Sequence, residues 1–368
     1  MRFASAISLI FIATALQAQP GRTDWPNFRG SPALDGNAVT NLPAAPKLLW
    51  SYSGGVRSVS SPVTNGTMIF FGDNDGVLHA VTSDGKAAWK FEAKSGIEGA
   101  PLIQGNKVIF GSLDGHLRAL DVKTGRVLWT YRTENQITGS ANIAGTAARP
   151  TLIVGSYDYN LHSVDATTGK GLWQFETNNF INGTPAVSEG MTIFGGCDGF
   201  LRVVDTDKGT EVRNNMVDVY IAASPALRGN LAFIGDYEGT LHCIDITNGR
   251  TLWKAPGHDE TSVLVATPAI SGNRVTIGSE DKNFYCFDAS TGKELWRFAT
   301  NGRITGSAVI AGDKVLFGSR DSRVYILDLR TGRELWNFDT GRPVGSSPAV
   351  AGKMFYILTE DGRLLAFG

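Results

Sequence analysis

Six residues of types that bind ligands lie at two fixed positions before a recurring proline, or the residue in its place. They are Arg57, Glu98, Gln136, Asn182, Tyr220 and Arg303. Guanidinium, carboxylate, amide and phenol groups recognise ligands through charge and hydrogen bonds, and the set contains no activated nucleophile. Other copies carry unrelated residues at these positions, such as Gly96 and Val263. Because the copies share the requirements of the fold but not those of binding, we predict a binding site here.

The histidines do not indicate a catalytic or metal site. His79, His162 and His242 occupy one equivalent position of three different copies. They would lie too far apart to bind one metal ion together, and we expect them on the solvent side of their strands. Every copy contributes serines and aspartates as turn residues, so spacing alone singles out no Ser/His/Asp group. The sequence therefore predicts no catalytic residue and no metal ligand.

The cysteines Cys197, Cys243 and Cys286 predict neither a disulfide framework nor a zinc site. Cys243 and Cys286 occupy the same position of neighbouring copies, where other copies carry alanine, serine, valine or isoleucine. This position is therefore expected to be small and packed. The number of cysteines is odd, and their spacing does not match a metal-binding motif.

The elements that position these residues come from a segment of about forty residues, which recurs eight times with an incomplete last copy. The second copy predicts strands at roughly Ala100 to Ile103, Lys107 to Gly111, His116 to Asp121 and Val127 to Arg132. A glycine in the first hairpin of every copy predicts a tight turn with positive φ. These glycines are Gly66, Gly105, Gly145, Gly190, Gly229, Gly272, Gly312 and Gly352.

The second hairpin of every copy carries an acid, for example Asp114 and Asp321. We expect this acid to accept a backbone N–H within its own turn, which is common for Asp before Gly. A ring of carboxylates that binds a cation is the alternative.

A tryptophan follows the third turn in most copies, where the turn reads Thr-Gly-Lys or Thr-Gly-Arg in several of them. The set is Trp50, Trp89, Trp129, Trp173, Trp253, Trp296 and Trp336. We expect each indole to dock between adjacent repeats, with its ring burying apolar area and its N–H donating to a carbonyl. Truncating one of them should cost roughly 3–5 kcal/mol. Arg213 stands in the eighth position, so the copy around Thr210 to Val217 is expected to be looser.

The repeat predicts an all-β fold, an eight-bladed propeller of four-stranded antiparallel blades. The chain ends at Gly368, where a fourth strand should begin, and Leu48 to Trp50 precede the first full copy. We expect this N-terminal strand to complete the last blade, which leaves no open sheet edge. The predicted organisation is a signal peptide at 1–18, an N-terminal extension at 19–47 and a single propeller at 48–368.

The composition and the N-terminus predict an exported protein. The net charge of −1 gives no basic field, so we expect no nucleic acid partner. Arg2, the apolar run from about Ala6 to Leu16 and the small residues that follow are typical of a cleaved signal peptide. The run is too short for a membrane span, and no cysteine near the cleavage region could carry a lipid anchor. We expect a periplasmic or secreted monomer.

The pattern of Asp, Thr-Gly-Lys/Arg and Trp, as in LRALDVKTGRVLW from Leu117 to Trp129, resembles the tryptophan-docking motif of quinoprotein-like (PQQ-like repeat) propellers. This group includes pyrroloquinoline quinone dehydrogenases and BamB-type outer-membrane assembly propellers. The resemblance covers Leu48 to Gly368. In addition, DWPNFRG from Asp24 to Gly30 is similar to the start of many exported proteins of this kind.

The resemblance implies two alternatives for function. Quinone-dependent dehydrogenases of this fold are longer and carry a Cys-Cys pair, a calcium site and a catalytic aspartate in long inserted loops. This chain has no Cys-Cys dipeptide and no such inserts, so an enzyme with pyrroloquinoline quinone and calcium is the less favoured alternative. BamB-type propellers match better in size, although they are lipoproteins and this chain lacks the lipidation cysteine.

We therefore predict an exported, non-catalytic propeller without a cofactor, which acts as a scaffold that binds an envelope protein or peptide. The resemblance to BamB-type propellers implies a role in outer-membrane protein assembly. In a propeller, the loops between blades and the second hairpins open on the same face, where the six candidate residues would lie. The alternatives are a quinone-dependent oxidoreductase and a propeller that binds a glycan or small ligand at this mouth. A further alternative is that these side chains only solvate the mouth of the channel.

Overall fold

The computed structural model describes residues 24–217, 219–221, 223–258 and 262–368. In these ranges the regular elements are 33 β-strands in eight sheets. The predicted all-β propeller of eight four-stranded blades is confirmed. The described residues contain no helix with the length and hydropathy needed to cross a bilayer. The predicted signal peptide at 1–18 lies outside the described residues.

The strands follow one another blade by blade, after β1 (Asn37–Ala38) and β2 (Leu48–Ser53). Blades 1 and 2 consist of β3 (Val63–Thr64), β4 (Met68–Gly72), β5 (Val77–Thr82), β6 (Ala87–Glu92), β7 (Leu102–Gln104), β8 (Lys107–Gly111), β9 (His116–Asp121) and β10 (Val127–Arg132). Blades 3 and 4 consist of β11 (Asn142–Thr146), β12 (Arg149–Gly155), β13 (Asn160–Asp165), β14 (Gly171–Glu176), β15 (Ala186–Ser188), β16 (Met191–Gly195), β17 (Phe200–Asp205) and β18 (Glu211–Met216).

Blades 5 and 6 consist of β19 (Ala226–Arg228), β20 (Leu231–Gly235), β21 (Leu241–Asp245), β22 (Arg250–Ala255), β23 (Ala269–Ser271), β24 (Arg274–Gly278), β25 (Asn283–Asp288) and β26 (Glu294–Ala299). Blades 7 and 8 contain β27 (Val309–Ala311), β28 (Lys314–Ser319), β29 (Arg323–Asp328), β30 (Glu334–Asp339), β31 (Ala349–Ala351), β32 (Met354–Leu358) and β33 (Arg363–Phe367). In blade 2 the inner strand begins at Leu102 instead of the predicted Ala100, because Pro101 has no N–H for the sheet.

The middle strands of the blades are buried on both faces, whereas the outer strands are not. In blade 3, β13 is buried along four consecutive residues, because the neighbouring blades cover both of its faces. The outer strand β14 instead alternates between exposed and half-buried residues. The apolar core lies between blades, and in one cluster Leu102 and Ile109 of blade 2 pack with Leu152 and Val154 of blade 3.

The ring is closed by the N-terminal strand β2, as predicted. β2 pairs antiparallel with β33, from Leu48 opposite Phe367 to Ser53 opposite Arg363. Lys47 and Gly368 extend this pairing through two backbone hydrogen bonds. Blade 8 therefore has four strands although its chain segment supplies only three.

The tryptophans join adjacent blades at seven of the eight seams, and Arg213 stands at the seam between blades 4 and 5. The indole N–H groups of Trp50, Trp89, Trp129, Trp173, Trp253 and Trp296 donate to carbonyls of the following blade at 2.9–3.3 Å. Each of these rings lies over the glycine of the third turn in that blade, as Trp129 does over Gly169. Trp336 faces blade 8, which has no third turn because its third and fourth strands, β33 and β2, come from opposite ends of the chain. The Trp336 ring packs edge-on against Phe355 and Phe367.

Residues 24–38, which we call the cap segment, cross one end of the central channel. Trp25 exchanges two backbone hydrogen bonds with Thr64 of blade 1. Five further carbonyls of the segment accept N–H groups from the inner strands of other blades at 2.6–2.9 Å. The donor and acceptor pairs are Ile103 with Pro26, Val187 with Pro32, Leu227 with Ala33, Ile270 with Asp35 and Ile310 with Gly36. The segment ends in β1, which pairs parallel with β27 of blade 7.

A buried arginine anchors the cap segment. Arg29 is 1% exposed, and its guanidinium donates to the carbonyls of Ala308 in blade 7 and Pro268 in blade 6. Burial lowers the pKa of Arg29 to about 9, and the nearby Asp35 carboxylate opposes this shift.

The glycines of the first hairpins have positive φ in all eight blades, as predicted.

Candidate functional site

The loops between blades meet the second hairpins at one end of the channel. In every blade, the residue five positions before the proline position accepts a backbone hydrogen bond from the tip of the second hairpin. The donor and acceptor pairs are Asn74 with Arg57, Leu113 with Gly96, Tyr157 with Gln136, Cys197 with Phe180, Tyr237 with Tyr220, Glu280 with Val263, Arg320 with Arg303 and Glu360 with Pro343. Because only the backbone is needed for this contact, the side chains at both positions are free to differ between blades.

The structure divides the six predicted site residues into two groups. Glu98 and Asn182 line a cavity of about 200 Å³ in the channel. The other four side chains are exposed and stand on the rim around it. They are Arg57, Gln136, Tyr220 and Arg303. The two groups follow the two sequence positions, since residues three before the proline face the channel and residues five before it face outward.

The wall of the cavity is formed largely by hydroxyl groups. The position just before the proline carries Ser61, Ser140, Thr184, Ser224, Thr267, Ser307 or Ser347, all of which line the cavity. Five of these oxygens accept the backbone N–H of the same position in the preceding blade, at 2.8–3.1 Å. The hydroxyl protons are therefore left to donate elsewhere. The sequence signal for this belt was a Ser or Thr in seven of the eight copies, with Ala100 as the exception.

Glu98, Thr138 and Asn182 lie on three consecutive blades and face the same cavity. The Asn182 amide donates through Nδ2 to the Cys197 sulfur at 2.9 Å. Its Oδ1 atom is buried and has no hydrogen-bond partner among the described residues. Burial raises the pKa of Cys197, and the neighbouring Asp198 adds to this effect, so the thiol is held in its neutral form.

An arc of aromatic side chains covers the rim of blades 3 to 5. Tyr157 and Phe180 are stacked with ring centroids 4.4 Å apart, and Tyr159 packs on Phe180 at 5.2 Å. Beside them, Tyr220 is 61% exposed and Tyr237 is 49% exposed. Exposed aromatic residues in one place are typical of surfaces that bind other proteins.

Charged side chains occupy the rim of blades 6 to 8. Arg303 contacts Glu280 at 3.2 Å, and Arg320 contacts Glu360 at 2.8 Å. Each of these pairs joins adjacent blades. Arg57 of blade 1 continues the arc as an exposed residue. The mouth is therefore aromatic on one side and charged on the other.

The expectation that His79, His162 and His242 lie on the solvent side of their strands is wrong. They are 1–2% exposed, because the third strand of each blade is covered on both faces. Their Nε2 atoms contact the carboxylates of Asp73, Asp158 and Asp236 at 2.7–3.0 Å. Burial lowers the pKa of His79 despite its contact with Asp73.

Two of these histidines also link neighbouring blades. The Tyr52 hydroxyl is 3.2 Å from Nδ1 of His79, and the Tyr131 hydroxyl is 3.0 Å from Nδ1 of His162. In each case the tyrosine lies on the outer strand of the preceding blade. The His and Asp of these Tyr-His-Asp sets are buried between blades, and none of the residues of the two sets lines the channel cavity.

The acids of the second hairpins take the predicted turn role in blades 2, 3, 6 and 7, whereas in blades 1 and 5 Asp73 and Asp236 accept the equivalent N–H in place of Asp75 and Glu238. Asp114, Asp158, Asp281 and Asp321 each accept the backbone N–H two residues further on, at 2.8–3.3 Å. Within the described ranges, no three His, Cys, Asp or Glu side chains are grouped so that they could hold a metal ion.

The three cysteines are free, as expected. Cys243 and Cys286 are fully buried in the small packed position that the sequence predicts. Burial raises the pKa of each of these thiols to about 12.

Sequence comparison matches nearly the whole chain to one family. The sequence model described as outer membrane protein assembly factor BamB matches residues 12–149, 134–293 and 280–368. A comparison with curated proteins found no match.

Several solved structures share the fold. BamB from Moraxella catarrhalis is 21% identical with a TM-score of 0.73, over 88% of this chain and 97% of that one. A europium-containing methanol dehydrogenase is 13% identical with a TM-score of 0.80, over 92% of this chain and 90% of that one. Quinohemoprotein alcohol dehydrogenase from Comamonas testosteroni is 14% identical with a TM-score of 0.77, over 95% and 81%. At these identities the likeness shows the fold alone.

Proposed function

Because this chain belongs to the PQQ-like repeat propeller family of outer membrane protein assembly factor BamB, we propose that it is an exported, non-catalytic scaffold. In this proposal it binds another envelope protein through the rim of its channel. The family description supports a role in outer-membrane protein assembly, and the predicted signal peptide supports export. The bound partner is an exposed protein segment with apolar or aromatic residues.

The observation that carries this proposal is the contrast between backbone and side chains at the rim. The same backbone hydrogen bond fixes the rim in all eight blades, while the side chains on it differ. Exposed tyrosines and arginines are the residue types that contribute most to protein interfaces. Tyr220 and Tyr237 stand next to each other on this rim, since the N–H of Tyr237 donates to the Tyr220 carbonyl.

A quinone-dependent oxidoreductase is the second candidate, because two dehydrogenases share the fold. The channel fits such a cofactor poorly. Its cavity of about 200 Å³ is smaller than the roughly 300–1,000 Å³ of most small-molecule sites. Among the described residues that line it, Phe28 is the one aromatic side chain available to cover a flat ring system.

Capture of partners from a cell-envelope extract tests the scaffold proposal. We expect the unchanged protein to retain a specific partner that is lost with Tyr220→Ser plus Tyr237→Ser, or with Arg57→Glu plus Arg303→Glu. Arg126→Glu is the matched control, since Arg126 is an exposed residue of a third turn, on the opposite face. Capture that all rim variants leave unchanged would contradict the proposed surface.

Two further assays distinguish the alternatives. Dye reduction with alcohols or sugars after addition of pyrroloquinoline quinone and calcium should show no turnover, and robust turnover would overturn the non-catalytic proposal. A glycan array should show no binding, and specific glycan binding that depends on the rim residues would favour carbohydrate recognition instead.

A further inference from the structure

We propose that the channel cavity is a subsite for one cationic side chain, lysine or arginine, of the protein segment bound at the rim. This inference deepens the proposed function and rests on it for the source of the cation. The cavity contributes the chemistry that a single ammonium or guanidinium group requires, namely a negative charge, a free acceptor oxygen and a narrow space.

The charge of the cavity is negative and comes from one residue. Among the described residues that line the cavity, Glu98 is the one charged side chain, and the others are glycines, hydroxyl residues, an amide and apolar groups. Glu98 is half-buried there. A carboxylate that is partly removed from water attracts a cation more strongly than an exposed one does.

The buried guanidinium of the cap segment does not occupy this place. Arg29 belongs to the cap segment, and its guanidinium donates to the carbonyls of Pro268 and Ala308 in blades 6 and 7. Glu98 stands before blade 2, and Thr138 and Asn182 stand before blades 3 and 4. Arg29 is not among the residues that line the cavity.

One hydrogen-bonding group in the lining, the Asn182 amide, has an oxygen that lacks a donor among the described residues. The Nδ2 group of Asn182 is engaged with Cys197, which leaves Oδ1 as a buried acceptor without a partner in the described chain. Ammonium and guanidinium groups carry only donors, and a buried acceptor without a donor is unfavourable. A cationic side chain in the cavity would therefore pair with Glu98, and a rotation of the Asn182 amide would bring Oδ1 within its reach.

The shape of the cavity admits one extended side chain. Its volume is about 200 Å³, and Phe28 of the cap segment lies in its wall. A group that enters from the rim would therefore meet the cap segment at Phe28. An aromatic face also favours a cation and the methylene groups that carry it.

Binding of small probes to the full chain tests the subsite directly. The probes are N-acetyl-arginine N-methylamide, the corresponding lysine compound and the neutral citrulline analogue, which keeps the shape of arginine. We expect calorimetry to show that the arginine probe binds at least about tenfold more tightly than the citrulline probe. Glu98→Gln should abolish this preference. Asn182→Ala should reduce it, and this second variant tests the subsite if Glu98→Gln does not fold.

Glu360→Gln is the matched control. It removes one negative charge from the same face of the molecule, but Glu360 is paired with Arg320 on the rim. It should leave the preference for the arginine probe unchanged. Equal binding of the arginine and citrulline probes, or equal losses in Glu98→Gln and Glu360→Gln, would overturn the subsite. Titration with calcium chloride is a further check. Calcium binding that is tighter than binding of the arginine probe and that requires Glu98 would also overturn the subsite, in favour of a metal site.

Probe binding and partner capture test the subsite and the proposed function separately. Arginine-probe binding without capture of any protein would refute the proposed function and leave a site for a free cationic ligand. Partner capture that Glu98→Gln does not weaken would refute the subsite and leave the scaffold proposal intact.

Discussion

A glycine and a tryptophan meet across two blades at six seams of this protein. Gly169 has a φ of +74°, and a Cβ atom placed on it would lie 2.7 Å from the Trp129 ring. The glycine therefore meets two requirements at once, a left-handed backbone and contact with the flat face of an indole. In the seam that lacks tryptophan, Gly249 instead meets the side chains of Arg213 and Asn215.

Substitution of this glycine should be more costly than substitution of a glycine with the same backbone but open space. We expect Gly169→Ala to destabilise the protein by about 1–3 kcal/mol more than Gly190→Ala does. Gly190 has a φ of +76° with nothing within 4 Å of a built Cβ, so both changes share the backbone strain and differ in the indole contact. Urea denaturation measures the difference, and equal effects of the two substitutions would show that indole docking is unimportant.

At the scale of elements, the seam between blades 4 and 5 differs from the others. On β18, Arg213 replaces the docking tryptophan and Asn215 occupies the position that Tyr131 has on β10. Three buried polar atoms at this seam, Arg213 Nε, Asn215 Oδ1 and His242 Nδ1, have no hydrogen-bond partner in the described chain. At two other seams a tyrosine hydroxyl satisfies the equivalent histidine. The looser blade predicted around Thr210 to Val217 is consistent with this polar seam.

Restoring the tryptophan should strengthen this seam. We expect Arg213→Trp to raise the free energy of unfolding by about 0.5–2 kcal/mol, because the indole could cover Gly249 as its equivalents cover their glycines. Val212→Trp is the control, since Val212 is the preceding residue of β18 and is 50% exposed. Denaturant unfolding compares the two, and a gain from Val212→Trp as large as that from Arg213→Trp would contradict the docking explanation.

At the scale of the whole molecule, the N-terminal residues both close the ring and cap the channel. β2 supplies the outer strand of blade 8, and the cap segment accepts hydrogen bonds from inner strands around the ring. The blades thus depend on residues 24–53 for closure at the outer edge and at the channel. The same arrangement leaves the rim of the opposite end open for a partner.

Removal of these residues should open the ring. We expect a chain that starts at Gly54 to form oligomers or aggregates, because β33 would become an unpaired edge. A chain that starts at Asp24 retains β2 and the cap segment and should elute as one discrete species. Size-exclusion chromatography with light scattering measures the association state of both chains, and denaturant unfolding compares their stability. Identical elution and unfolding of the two chains would show that closure does not depend on this segment.

The repeat pattern by itself determined the number of blades, the closing strand and the positive φ of the hairpin glycines. It could do so because each of these features recurs in the same short sequence context. It also marked the loop positions before the proline, among them Glu98 and Asn182, because side chains that the fold does not need vary there.

Only the tertiary structure decided which candidates face the channel and how the channel is closed. The cap segment joins the inner strands largely through its backbone carbonyls, so DWPNFRG and the buried Arg29 do not show from sequence which blades the segment contacts. The buried histidines were misjudged because a strand covered on both faces loses the alternation that separates core from solvent. Whether a polar residue is exposed or paired then depends on the neighbouring blade, which lies about forty residues away in the chain.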